Sequence, residues 1–178
     1  MTTVCLVGNE DCDLRYELLS RETSREALST YRLQRPFENS VAVETISLGS
    51  AVSLLNDLNW YLVRFAEAAL VLEPSVSETE WLSRALAGAI REGSVVPEES
   101  GTYLKVYGLA RAADAAGDDD ESVGDGEGES VGRETDGGLL RPVEPMYVTR
   151  TGPTLPEYDL RDVEETLHVR VTEAEFGG

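Results

Sequence analysis

Glu10, Asp11 and Asp13 put three carboxylates within four positions, directly after the apolar run Val4-Cys5-Leu6-Val7 and Gly8. If that run is a strand and a helix follows, the acids lie where α/β folds bind ligands, outside the carboxyl end of a strand. Three carboxylates repel phosphate and suit a hard cation such as Mg²⁺ or Ca²⁺, although the spacing is not that of an EF-hand. The same acids also serve a plain structural role, capping a helix and stabilising its N-terminus through the dipole. The second candidate is Lys105, the only lysine in the chain. On a strand it shares one face with Tyr103 and Tyr107. That arrangement suits a cation–π pair, a ligand contact or a desolvated amine; it also suits a lysine stem packed on aromatic neighbours.

Other chemistry is excluded by arithmetic. His168 is the single histidine, and in Leu167-His168-Val169-Arg170-Val171 it shares the polar face of a strand with Arg170. There is no G-x-S-x-G, no Walker loop and no G-x-G-x-x-G. Cys5 and Cys12, seven positions apart, and one distant histidine do not match a zinc-ligand spacing. The acids around Cys12 raise its thiol pKa, the reverse of what a nucleophile needs. No catalytic residue and no cofactor is therefore assigned. Arg141, Arg150, Arg161 and Arg170 are dispersed and form no basic stripe with interleaved aromatics, so nucleic acid is not an expected partner.

The elements that position these residues are read from hydrophobic period and punctuation. Residues 4–7 form a strand buried on both faces. Asp11 or Asp13 caps a helix running to about Tyr31, with Glu17 and Arg21 as an i,i+4 pair. A strand over 41–48 precedes a long helix over 50–72, whose Ala51, Leu55, Leu58, Leu62, Phe65, Ala69 and Leu72 make one continuous face. An exposed side of that helix is the expected surface for a protein partner or a homodimer. Ser77-Glu78-Thr79-Glu80 reads as a capping box opening a helix through Trp81, Leu82, Leu86 and Ile90, closed by Gly93. Strands over 102–109, 146–151 and 166–172 follow. The expected fold is a single α/β domain with a parallel or mixed sheet of about five strands and about three covering helices, in the order β-α-β-α-α-β-(acidic loop)-β-β.

Charge sets the boundaries. The 178 residues carry 34 acids against 15 bases, a net of −19. Ten of those acids and one base fall in residues 114–138, a stretch with seven glycines and no aromatic. It has too little apolar surface to offset its ordering entropy and reads as a disordered inserted loop. Residues 1–113 and 139–178 are then one domain, since the last forty residues are too few for a core of their own. A deep acidic excess with lysine nearly absent is the composition expected of a cytosolic protein in a salt-in halophile, because molar salt screens the self-repulsion. The first residues show no signal-peptide pattern. The most apolar stretch, 58–72, contains Arg64 and Glu67, so no membrane span is expected. The location expected is cytoplasmic.

The chain ends in Gly177-Gly178. A terminal Gly-Gly resembles the tails of ubiquitin-like proteins, including small archaeal modifiers, and implies a carboxylate that is adenylated and then conjugated or converted to a thiocarboxylate. The rest of the chain departs from that pattern, since it opens strand–helix where those proteins open with a hairpin. More broadly, the chain resembles a haloarchaeal protein family of unknown function, in Val4-Cys5-Leu6-Val7-Gly8, in Ser53-Leu54-Leu55-Asn56-Asp57-Leu58-Asn59-Trp60-Tyr61-Leu62 and in Val171-Thr172-Glu173-Ala174-Glu175-Phe176. That resemblance implies no activity. The functional expectation is a non-enzymatic module binding a protein or small ligand. The alternatives are a modifier acting through Gly177 and Gly178, and a metal-dependent enzyme using Glu10, Asp11 and Asp13.

Overall fold

With no polar position to turn to solvent, Val4-Cys5-Leu6-Val7 has to be covered on both faces, and the rest of the fold supplies the two covers. The computed structural model of the chain describes residues 1–111, 140–150 and 165–177. They form β1 (Thr2–Gly8), α1 (Leu14–Ser20), α2 (Glu22–Leu28), β2 (Ser40–Thr45), α3 (Leu48–Asp57), α4 (Asn59–Phe65), β3 (Ala66–Leu72), β4 (Trp81–Ser83), α5 (Arg84–Glu92), β5 (Tyr103–Arg111), β6 (Leu140–Thr149), β7 (Glu165–Arg170) and α6 (Glu173–Gly177). The strands make one sheet in the order β2-β1-β3-β4-β7-β5-β6. Only β4 and β7 run parallel; the other neighbours are antiparallel. The mixed α/β class is as expected. The five-strand sheet and its element order are corrected, because the described residues alone hold seven strands. The acidic stretch 114–138 lies outside the described residues.

The main correction falls on the helix over 50–72. It ends at Leu58, restarts as α4 and gives way to β3 at Ala66. An apolar run such as Ala68-Ala69-Leu70-Val71-Leu72 has no period of its own that separates buried strand from buried helix. Pairing decides it: β3 lies between β1 and β4, with Cys5 opposite Leu70 and Val71 opposite Leu82. The single helix over 50–72, whose exposed side is the surface expected for a partner, therefore does not exist, and the large apolar side chains left exposed there are Trp60 and Val63 of α4. Two smaller shifts come from a second cap close to the first. Ser47, not Ser50, caps α3, accepting from Ser50 N at 3.1 Å. Ser83 caps α5, while Ser77 caps only a turn and leaves 81–83 free to pair as β4. The helix expected to reach Tyr31 is interrupted by the extended backbone of Arg21, yet Arg21 still meets Glu17 at 3.6 Å.

The first cover is helical. Val4 and Leu6 of β1, Val41 and Val43 of β2, Val71 of β3 and Leu82 of β4 pack against Leu14, Leu18, Leu54, Leu55, Leu58 and Leu86. The second cover is the sheet itself. Cys5, Val7, Ala42 and Leu70 share a buried cluster with Tyr107, Leu109, Leu167 and Val169. Those two groups belong to strands separated by others in the order, so the sheet must curl until its own concave face closes. Two bonds tie the curled ends: Glu38 N donates to Leu140 O at 3.0 Å, and Arg141 meets Glu10 at 2.6 Å. The turn at this closure is wired by Asn39, a left-handed residue at φ 51°. Its amide donates to the carbonyls of Asn9 and Cys12, both at 2.9 Å, and its Oδ1 accepts from Leu14 N at 2.9 Å. Gly8 lies so close that a Cβ there would be 2.6 Å from Asn39 Nδ2 and 2.8 Å from Leu14 Cβ.

On the convex side of β7, Glu80 is buried between two arginines. Arg170 Nε reaches Oε1 at 2.7 Å, and Arg150 Nη2 bonds Oε2. Arg170 also donates to Ser100 Oγ at 3.0 Å. Burial pushes the Glu80 carboxyl up, but the two guanidiniums outweigh it and hold the group below its ordinary value.

Two predictions follow from packing. Gly8→Ala forces Leu14 or Asn39 to move and should lower stability by about 1–3 kcal/mol in urea unfolding, whereas Gly88→Ala, mid-helix with open space around its Cβ, should raise it by about 0.5–1 kcal/mol. Equal small effects would show that the Gly8 contact is not tight. Glu80→Gln strands two guanidiniums and should cost about 3 kcal/mol at pH 7. A depressed carboxyl stabilises above its unfolded value and loses this as pH falls through its folded value, so the gap between variant and wild type should shrink below about pH 4. A gap that stays constant with pH would rule out the charged pair as its source.

Candidate functional site

Alternation along β5 sends Tyr103, Lys105 and Tyr107 to the concave face, and Leu104 and Val106 to a separate buried cluster with Val148 on the other. Antiparallel pairing puts Tyr147 of β6 opposite Lys105 and Val169 of β7 on its other side. At this end the closed trough is lined by the small Ala66, Ala68 and Ala69, so the walls do not meet. They leave a cavity of about 440 Å³ bounded by α4, β3, the start of α5, β5, β6, β7 and α6.

Lys105 Nζ stands 5.0 Å from the Tyr107 ring centre and 5.6 Å from that of Tyr147. Burial alone would lower the amine's pKa, but its interactions with the two phenols, Tyr107 first, outweigh burial and hold it above the usual lysine value. Burial pushes the Tyr107 phenol up, more than Lys105 pulls it down. The site therefore offers a fixed ammonium and, at Tyr107, a neutral hydroxyl. Neither group is poised to exchange a proton near neutrality, so the arrangement positions charge rather than moving it. The carboxylate of Glu175 lines the cavity and is held by Ser83 Oγ at 2.7 Å and Thr172 N at 2.8 Å.

Of the residues read from sequence as a binding face, Lys105 and Tyr107 line this cavity. Tyr103 stands apart, packed on Phe176 with the rings tilted by 44° and 5.0 Å between centres, and Phe176 also meets Tyr147 edge-on at 6.1 Å. Sequence reasoning missed Tyr147, Glu67, Arg84 and Glu175. Tyr147 had a usable signal, an aromatic in an alternating strand; Glu67 was hidden by the helical reading of its segment.

The acidic loop is arranged differently. Glu10 is paired with Arg141, Asp13 caps α1 by accepting from Tyr16 N at 3.2 Å, and Asp11 is exposed. Among the described residues no group of three His, Cys, Asp or Glu side chains is gathered to hold a metal ion. The nearby cavity of about 360 Å³ mixes Arg15, Arg35 and Arg141 with Glu10, Asp13 and Glu38. The Cys12 thiol donates to Phe65 O at 3.3 Å, and burial raises its pKa, with Glu17, Asp13 and Asp11 adding to the rise. Cys5 is sealed in the trough and pushed up to about 12 by burial. His168 lies outside the cavity, its pKa lowered mainly by burial. Gly177 ends α6, and Gly178 lies outside the described residues. Among the described residues no helix is long and apolar enough to cross a membrane.

No curated protein and no solved structure matches the chain. A family model does, described as a family of unknown function (DUF5804), over residues 2–109. That span carries β1 to most of β5, with Glu67, Lys105 and Tyr107 inside it and Tyr147 beyond it. Since the match covers more than half of its length, the chain belongs to this family of unknown function.

Proposed function

We propose that the protein is a non-enzymatic small-ligand-binding module and that the cavity at Lys105 is its site. The observation that carries this is the setting of the single lysine, clasped by Tyr107 and Tyr147 inside a cavity of about 440 Å³ with no carboxylate paired to it among the described residues. That volume is within the range of about 300–1,000 Å³ typical of ligand pockets, and a mostly apolar wall with a few convergent polar groups is their usual make-up. Lys105 and Tyr107 are both shifted away from neutrality, which favours binding over catalysis.

The other readings have less behind them. Phe176 is packed on two aromatic rings and Glu175 Oε2 accepts from both Ser83 Oγ and Thr172 N, which anchors the segment a conjugation tail would need to free. Glu10 and Asp13 are already engaged. The acidic, lysine-poor composition supports a further proposal that the protein works in a cytosol of molar salt.

The test is a fragment screen by ligand-observed NMR in molar KCl. Fragments should bind wild type, and Lys105→Met should weaken them by about tenfold or more, a loss of about 1.4 kcal/mol, with the melting temperature little changed. Hits that ignore both Lys105→Met and Tyr147→Ala, or a screen with no hits, would refute the site.

A further inference from the structure

Among the described residues, the charged side chains that line the cavity are Glu67, Arg84, Lys105 and Glu175. Two of them are already committed to the protein. Arg84 donates to Asn59 Oδ1 at 2.8 Å and to Leu55 O at 3.3 Å. Glu175 accepts from Ser83 and Thr172. The other two, Lys105 of β5 and Glu67 of β3, carry opposite charges into the same cavity, and no ion pair joins them within 4.0 Å. Each is held in place by a separate device. Lys105 is fixed by its two tyrosines. Glu67 is the extra residue of a β-bulge: Val7 lies opposite Ala68 while Gly8 lies opposite Ala66, so Glu67 has no partner across β1. A bulge re-aims a side chain that regular pairing would send elsewhere. Its carboxylate is felt inside the cavity, where it adds to the upward shift of the Tyr107 phenol.

We infer that this cavity takes a small zwitterion of the amino-acid type, its carboxylate on Lys105, its ammonium on Glu67 and an apolar body against Leu62, Val63, Leu70 and Val169. The inference rests on the reading of the cavity as a ligand site. Exposure sets the direction of entry: Lys105 is half-buried and Glu67 is exposed at the rim, so the carboxylate goes in first. Charge sets the selectivity. A simple anion reaching Lys105 is repelled by Glu67, and a simple amine reaching Glu67 is repelled by Lys105. A molecule with both charges meets both groups, and specificity then comes as much from those repulsions as from the contacts.

The experiment is calorimetry in molar KCl on the full chain with two matched series. Phenylalanine is compared with 3-phenylpropanoate and phenethylamine, and leucine with its deaminated and decarboxylated counterparts. In at least one series the zwitterion should bind about tenfold or more tightly than either half. Glu67→Gln should erase its advantage over the carboxylate, and Lys105→Met its advantage over the amine, with circular dichroism confirming that both variants fold. A carboxylate that binds as tightly as its amino acid, and is lost in Lys105→Met, would overturn the zwitterion and leave the ligand site standing. If no probe binds wild type, the zwitterion is overturned, and the fragment screen decides the site on its own.

Discussion

The closing of one curled sheet on its own concave face is the constraint on which the other features depend. Cys5, Val7 and Leu70 can be buried against Leu109, Leu167 and Val169 only if strands that are not neighbours are brought face to face. Register shifts at Val7/Gly8 and Val106/Gly108 break the ladder at two points, and bulges of this kind increase local twist and bend the strand. Once the concave side is filled mainly by the sheet itself, α1, α3 and α5 are left to cover the convex side. This is why α1, α3 and α5 contribute to one cluster centred on Val4, Leu6 and Val71. The cavity is the end of the same trough, where alanines replace larger side chains and the walls stay apart.

Electrostatics follow the same geometry. In a chain of net charge −19 several arginines of the described residues are matched to acids: Arg141 to Glu10, Arg21 to Glu17, and Arg150 with Arg170 to Glu80. Lys105 is treated differently, because its neighbours across the strand and along it are phenols. A lysine on an open surface of such a protein would sit in a field of carboxylates. Placed within the trough, it keeps a positive charge to which no carboxylate of the described residues is paired, and the desolvation this costs is offset by two aromatic rings and their hydroxyls.

How far the fold could be read depended on whether a segment carried its own signal. Val4-Cys5-Leu6-Val7 was legible as a doubly buried strand because it has no polar face, and Tyr103, Lys105 and Tyr107 as one strand face because alternation is local. Gly93 was legible as the stop of α5, since its left-handed φ of 81° is a conformation glycine adopts freely. Ala66 to Leu72 was not: its alanines and leucines fit a helical stripe as well as a strand, and only the partners on either side, β1 and β4, choose between them. Trp81, Leu82 and Ser83 were lost for a related reason, since two serine caps lie six residues apart and local chemistry does not rank them. Misreading β3 also hid Glu67, which enters the site only because a strand there has a bulge.

The sequence by itself determined which residues had to be buried, which face of β5 carried the lone lysine, and how unevenly the charge is spread, because those depend on residue type and near neighbours. Tertiary structure alone decided that Lys105 would meet Tyr147 and share a cavity with Glu67 and Glu175, and that Glu10 would be taken up by Arg141. Those meetings span 38 to 131 positions of chain. They are set by the curl and register of the sheet, which arise from the sum of many weak pairings, and no local pattern encodes that sum.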